Sequence, residues 1–414
     1  MVERKTQSQF ALQMLRFLGI AVLTVVQVQS NVVVTHAASG DAIADRVLGQ
    51  TDFTSGGSGS GTNQMYEPRH VTVDSAGRIF VADMVNHRVL GWPNATAFTN
   101  GMAATIVITS AGSGGLNLFY PRGVATAQNG DLYVADAFNN RVLQFTAPIS
   151  SASVAVRVFG QLDFASGAAN QGGLYPGANT LNNPTGVAVD TNGNVYVADT
   201  ENSRALVYNA PINPTANISA TKVLGQQDFV SGDPNQGGGS TATARKINRP
   251  FAVAVDSSGK PYVGDTYNNR VLRYDVPLAI TNTAASLVIG QPDFSSTGAN
   301  QGGGFLPSAQ TLYYPYGIAL DSAGNLYVAD MNNNRVLAYM APLTSPNMAA
   351  TLVIGQTTFS EFVNATTDHN FRYPGGVGVD SAKNVYVGDT NNHRVLAFDN
   401  PFDKRFYLPL IRKQ

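Results

Sequence analysis

Short apolar runs of about five residues, rich in Val, Ile, Leu, Phe and Tyr, recur along this chain between clusters of Gly, Asn, Asp and Ser. Six stretches share one pattern: PRHVTVDSAGRIFVADMVNHRVLGW from Pro68, PRGVATAQNGDLYVADAFNNRVLQF from Pro121, PTGVAVDTNGNVYVADTENSRALVY from Pro184, PFAVAVDSSGKPYVGDTYNNRVLRY from Pro250, PYGIALDSAGNLYVADMNNNRVLAY from Pro315 and PGGVGVDSAKNVYVGDTNNHRVLAF from Pro374. Their opening prolines are 53, 63, 66, 65 and 59 residues apart. In the fifth copy the pattern predicts strands at Gly317–Asp321, Leu326–Asp330 and Arg335–Tyr339, separated by turns of the residues that turns require. The runs are apolar on both faces, as expected of sheets covered on both sides. Three strands cannot bury both faces alone, so the copies must pack on one another.

A second element supplies a fourth strand. It reads RVLGQTDF at Arg46, RVFGQLDF at Arg157, KVLGQQDF at Lys222, LVIGQPDF at Leu287 and LVIGQTTF at Leu352, with a degenerate TIVITSAG from Thr105. One copy precedes the first three-strand unit and none clearly follows the last. The strand at Val47–Gly49 is therefore expected to pair with Arg394–Phe398 and close a ring, removing its free edges. The rival closing segment, Phe406–Ile411, is disfavoured by Pro409.

The pattern PxGVAVDxxGNLYVADxxNNRVxxF resembles the NHL repeat, over residues 47–400. The resemblance implies an all-β, six-bladed β-propeller of NHL-type repeats. Such rings serve as binding scaffolds and as enzymes, so fold alone does not assign function.

The 414 residues contain no cysteine, carry a net charge of −1 and are only 13% charged. These values exclude disulfides, thiolate metal sites and a Cys nucleophile, and give no global field for nucleic acid. Arg4 and Lys5 precede an apolar stretch from about Phe17 to Val34, then small residues at Thr35, Ala37, Ala38 and Ser39. This is the pattern of a secretory signal, or alternatively of a retained anchor. The expected organisation is a signal peptide at 1–38, the propeller at 39–402 and a short tail at 403–414. The expected location is secreted or at the cell surface, with no membrane span once the signal is removed.

The repeats separate frame from site. Asp and Arg five positions apart are identical in all six copies, from Asp83–Arg88 to Asp389–Arg394, so they are read as a structural brace. The Asp after the first strand (Asp74, Asp190, Asp256, Asp321, Asp380; Ala127 in the second copy) is read as a turn residue, and NQGG at Asn170, Asn235 and Asn300 as loop architecture. Variation concentrates at the opening prolines. Arg69, His70, Tyr120, Arg122, Arg249, Phe251, Tyr314, Tyr316, Arg372 and Tyr373 are expected to surround one channel mouth and form a ligand site. The expected partner there is a polysaccharide, peptide or protein.

An enzymatic alternative is a metal-dependent lyase or hydrolase. Peptide-amidating lyases are similar propellers with zinc on three histidines; His87 and His393 read as turn variants, and His70 alone is placed near the channel. Glu67 with Asn183 resembles the cation set of gluconolactonase-like propellers, but Glu67 is one residue too close to its proline and no matching Asp is evident. No GxSxG nucleophile is present. No metal or cofactor is assigned, and no catalytic residue.

Overall fold

The computed structural model describes residues 42–402, apart from residues 96 and 240. The proposed signal (with His36), the alternative closing strand and the tail lie outside the described residues. Six four-stranded antiparallel sheets are present, and no α-helix among the described residues. Blade five shows the shared plan: inner strand Pro315–Leu320, then Leu326–Asp330, Arg335–Tyr339 and outer strand Leu352–Ile354. The inner strand starts at the proline itself, and a bulge between Pro315 and Gly317 restores the register. Blade one takes its outer strand from Ile106–Ile108, the degenerate copy.

Each inner strand packs on the next around the ring, and the inner strand of blade six packs on that of blade one. Burial follows the same plan, with one apolar cluster at each of the six interfaces between adjacent blades. The closing strand is Arg46–Leu48. It pairs antiparallel with blade six, Arg46 opposite Ala397, Val47 opposite Leu396 and Leu48 opposite Val395. Val47 enters the cluster shared with blade five, Leu48 the cluster shared with blade one. Neighbouring residues thus serve both faces of one sheet, as the strand period dictates.

The Asp–Arg pairs brace every blade. Asp330 Oδ1 accepts the Tyr313 backbone N–H at 2.6 Å, and Oδ2 accepts from Asn333 at 2.7 Å and Arg335 Nε at 2.8 Å. Arg335 then donates to the Phe359, Ser308 and Thr311 carbonyls. One side chain therefore ties the outer-strand loop and the entry loop to the second hairpin. Burial pushes the Asp330 carboxyl above the usual carboxylate range, and the Arg335, Asn333 and backbone donors pull against it. The other five pairs are built alike, at 2.6–2.7 Å. In the GQ element the glycines adopt φ near +88°, and a Cβ on Gly290 would lie 2.4 Å from Leu312. The NQGG loops are also architectural: Asn170 and Asn202 exchange amide hydrogen bonds, as do Asn235 with Asn268 and Asn300 with Asn333.

Candidate functional site

The residue before each opening proline has a positive φ: Glu67, Tyr120, Asn183, Arg249, Tyr314 and Tyr373. Its backbone N–H donates to the second-turn residue of the preceding blade. The acceptors are His393, His87, Asn140, Ser203, Asn269 and Asn334. His87 and His393 thus do the work of asparagine, accepting through Nδ1 at 3.1 Å. This geometry presents the six entry side chains on one face of the ring.

Those side chains form two patches. In blades one and two, Tyr120 lies 4.5 Å from His87 and 4.7 Å from Phe138 between ring centroids, and the Arg122 guanidinium sits 5.3 Å over Phe138. In blades four and five, Phe251, Tyr267, Tyr314 and Tyr316 pack together, with Arg249 5.2 Å over Tyr267 and paired to Glu201 at 2.9 Å. Arg69 links across the mouth. It pairs with Glu67 at 3.1 Å and stacks 5.3 Å over Tyr316, two blades away. That reach passes Gly375, which stands at the corresponding position of blade six and has no side chain to intervene.

Of the expected residues, Tyr316 is only 7% exposed, wedged between Phe251 and Arg69. Arg372 and Tyr373 are exposed. Sequence reading passed over Phe138, Tyr267 and Glu201, which stand at one position of the second turn where the other blades carry Val85, Asn332 and Asn391. Variation at an otherwise repeated position was the available signal. Phe138 and Tyr267 are about 40% exposed (41% and 40%) and form platforms beside the channel. Arg122 Nε is buried without a hydrogen-bond partner.

Behind the mouth, the six inner strands line a narrow channel of about 180 Å³ with mostly apolar side chains. His70 lies on its wall, where blades two, three and five carry Gly123, Gly186 and Gly317. Burial lowers His70 to about 4, partly offset by a hydrogen bond with the Val124 backbone. The folded state therefore binds this proton less readily than the unfolded chain, whose value is near 6.5. The stabilising contribution is complete above pH 6.5 and is lost as the pH falls toward 4. His70→Gln is expected to remove on the order of 2 kcal/mol of the acid-dependent loss, read as urea midpoints at pH 7 and pH 4.5. Midpoints with the same pH dependence in both proteins would contradict this assignment.

Among the described residues, no three His, Cys, Asp or Glu side chains are grouped to hold a metal ion. Glu67 is engaged by Arg69, and His87 and His393 use Nδ1 in the frame. Among the described residues no helix is long and apolar enough to cross a membrane.

A family model described as the NHL repeat matches residues 120–145, 181–208, 312–339 and 371–398, in blades two, three, five and six. NHL repeat-containing protein 2 of Homo sapiens is 32% identical over 107 residues, which are 25% of this chain and 14% of that protein. The Bos taurus protein of the same name is 30% identical over 106 residues, with the same coverage. The match thus spans only 14% of the length of these relatives. Among solved structures, an auxiliary nutrient binding protein from Bacteroides ovatus superposes with a TM-score of 0.51 at 14% identity, over 86% of this chain and 76% of that one. At that identity the likeness is one of fold. Four blades thus match the NHL repeat, and two more share the same Asp–Arg brace and strand order, in a six-bladed β-propeller.

Proposed function

We propose that this propeller is a binding module whose mouth holds an acidic polysaccharide. The observation that carries the reading is the rim itself. Exposed rings of Phe138 and Tyr267, stacked by Arg122 and Arg249, and the exposed Arg372 and Tyr373 lie on a face where the repeated frame needs none of them. Flat aromatic faces suit sugar rings, and Arg forks suit carboxylates or sulfates. Arg122 supports the acidic choice, because its buried Nε has no protein partner. The Bacteroides ovatus protein, a nutrient binding protein by name, has a ring of this fold, which fits a binding role without naming a ligand. The N-terminal pattern fits a site outside the cytoplasm, where such polysaccharides occur.

The test is affinity electrophoresis and calorimetry against polygalacturonate, alginate and hyaluronan, with starch and xylan as neutral controls. Binding to an acidic chain is expected, weakened at least tenfold by Phe138→Ala with Arg122→Ala and reduced by added salt. Equal affinity of that double variant for every bound polymer, or no retention by any acidic polymer, would refute the proposal.

A further inference from the structure

On the opposite face of the ring, blade two lacks a contact that blades three, five and six share. In blades three, five and six the aspartate after the inner strand caps its own turn and accepts the phenol of the second strand. Tyr196 bonds Asp190 at 3.2 Å, Tyr327 bonds Asp321 at 3.5 Å and Tyr386 bonds Asp380 at 3.0 Å. Blade two has Ala127 at that position. Its carboxylate is displaced to Asp131, which accepts from Asn129 at 3.0 Å, Gln144 at 2.9 Å and the Ala147 N–H at 2.9 Å. Tyr133 keeps its place in the second strand, 5% exposed, but has lost its acceptor.

The missing carboxylate coincides with a cavity of about 480 Å³ between blades two and three, whose lining includes Ala127, Asp131, Tyr133, Gln144, Asp190 and Asn192. That lies within the roughly 300–1,000 Å³ of small-molecule sites. The phenols of Tyr208, Tyr274 and Tyr339 also lack partners, but they are sealed in the core; Tyr133 instead lines an open space. Burial and the Asp131 charge push Tyr133 up to about 12, so its hydroxyl stays neutral and able to donate.

The geometry points to a second binding site here, for a neutral polyhydroxylated ligand the size of one or two sugar rings, with Tyr133 Oη as its buried anchor. Two carboxylates at the walls repel anions. Those carboxylates are also poor metal clamps, since Asp190 already accepts four protein donors and Asp131 three. Neutral hydroxyls can both donate to the remaining Asp131 lone pair and accept from Tyr133. This site shares no residue with the mouth and does not depend on the reading given to it.

The test uses the full chain and saturation-transfer NMR with calorimetry. Probes are glucose, galactose, xylose, N-acetylglucosamine, maltose and cellobiose, with calcium and putrescine as cationic controls. At least one sugar is expected to bind. Tyr133→Phe should weaken it about tenfold without lowering the urea midpoint, because no protein hydrogen bond is lost. Ala127→Asp should abolish binding by rebuilding the carboxylate of blades three, five and six, which takes the phenol and fills the space. Acidic polymer binding at the mouth should be unchanged in both. Binding of no sugar, sugar binding unchanged in both variants, or binding of the cations alone would overturn the proposal.

Discussion

Replacing Arg335 with methionine is expected to lower the stability of the propeller by about 4 kcal/mol or more. The mechanism is specific. Arg335 and Asp330 have fully buried side chains, and the guanidinium also satisfies three backbone carbonyls in two loops. Methionine fills much of the volume but leaves the Asp330 charge without its counter-ion and the Phe359, Ser308 and Thr311 carbonyls without their donor. An uncompensated buried charge of this kind alone costs about 3–5 kcal/mol. Arg335→Lys should recover less than half of the loss, because a point-like ammonium cannot serve acceptors in four directions. The measurement is the midpoint of chemical denaturation, with near-ultraviolet circular dichroism as the second probe. A midpoint within 1 kcal/mol of the parent, on the order of a surface substitution, would show that the brace is dispensable.

The largest effect is expected at the ring closure. Leu48→Asp introduces a charge into the cluster shared by blades six and one, where Leu48 is wholly buried beside Met65, Val71 and Val395. That cluster is built of apolar side chains, and an unpaired charge in such a core costs several kcal/mol. Detachment of the Arg46–Leu48 strand would also expose the free edge of Arg394–Phe398, a template for pairing with another chain. The variant is therefore expected to lose cooperative unfolding and to form dimers and larger species in size-exclusion chromatography. Val107→Asp is the control. It alters an outer strand of equal length in blade one at a half-buried position, and should cost about 1 kcal/mol without association. A peptide spanning residues 42–54 should bind a chain beginning at residue 55 and suppress its association. A monomeric Leu48→Asp protein with an unchanged midpoint would place the closure elsewhere.

Both effects were legible in the residues. The Asp–Arg pair is repeated in every copy, and a GQ strand stands ahead of the first blade but not clearly after the last. Turn aspartates and the NQGG loops were legible for the same reason, since each recurs in a fixed local setting. The ligand rim was only half legible. Position after the opening proline marks Arg69, Arg122, Phe251 and Tyr316 equally, yet Tyr316 is buried while Arg69 reaches it across the mouth. Tyr267 and Phe138 lie in a different turn from the prolines and join the rim only through side-chain contacts, Phe138 with Arg122 and Tyr267 with Phe251 and Tyr314. Ala127 was visible as the odd residue of its column, but nothing in one dimension tells whether a lost carboxylate leaves a hole or a collapsed turn.

The sequence by itself determined the strands, their order within a blade, the number of blades and the segment that closes the ring. These follow from apolar runs, turn residues and repetition, which act over a few neighbouring positions. Only the tertiary structure decided which variable side chains face solvent, which meet across the mouth and where the space opened by Ala127 lies. Those outcomes depend on residues some 60 to 250 positions apart, such as Arg69 stacked on Tyr316, or Tyr133 and Asp190 lining one cavity at the second interface. The packing of one blade on the next sets them, and no local pattern encodes that distance.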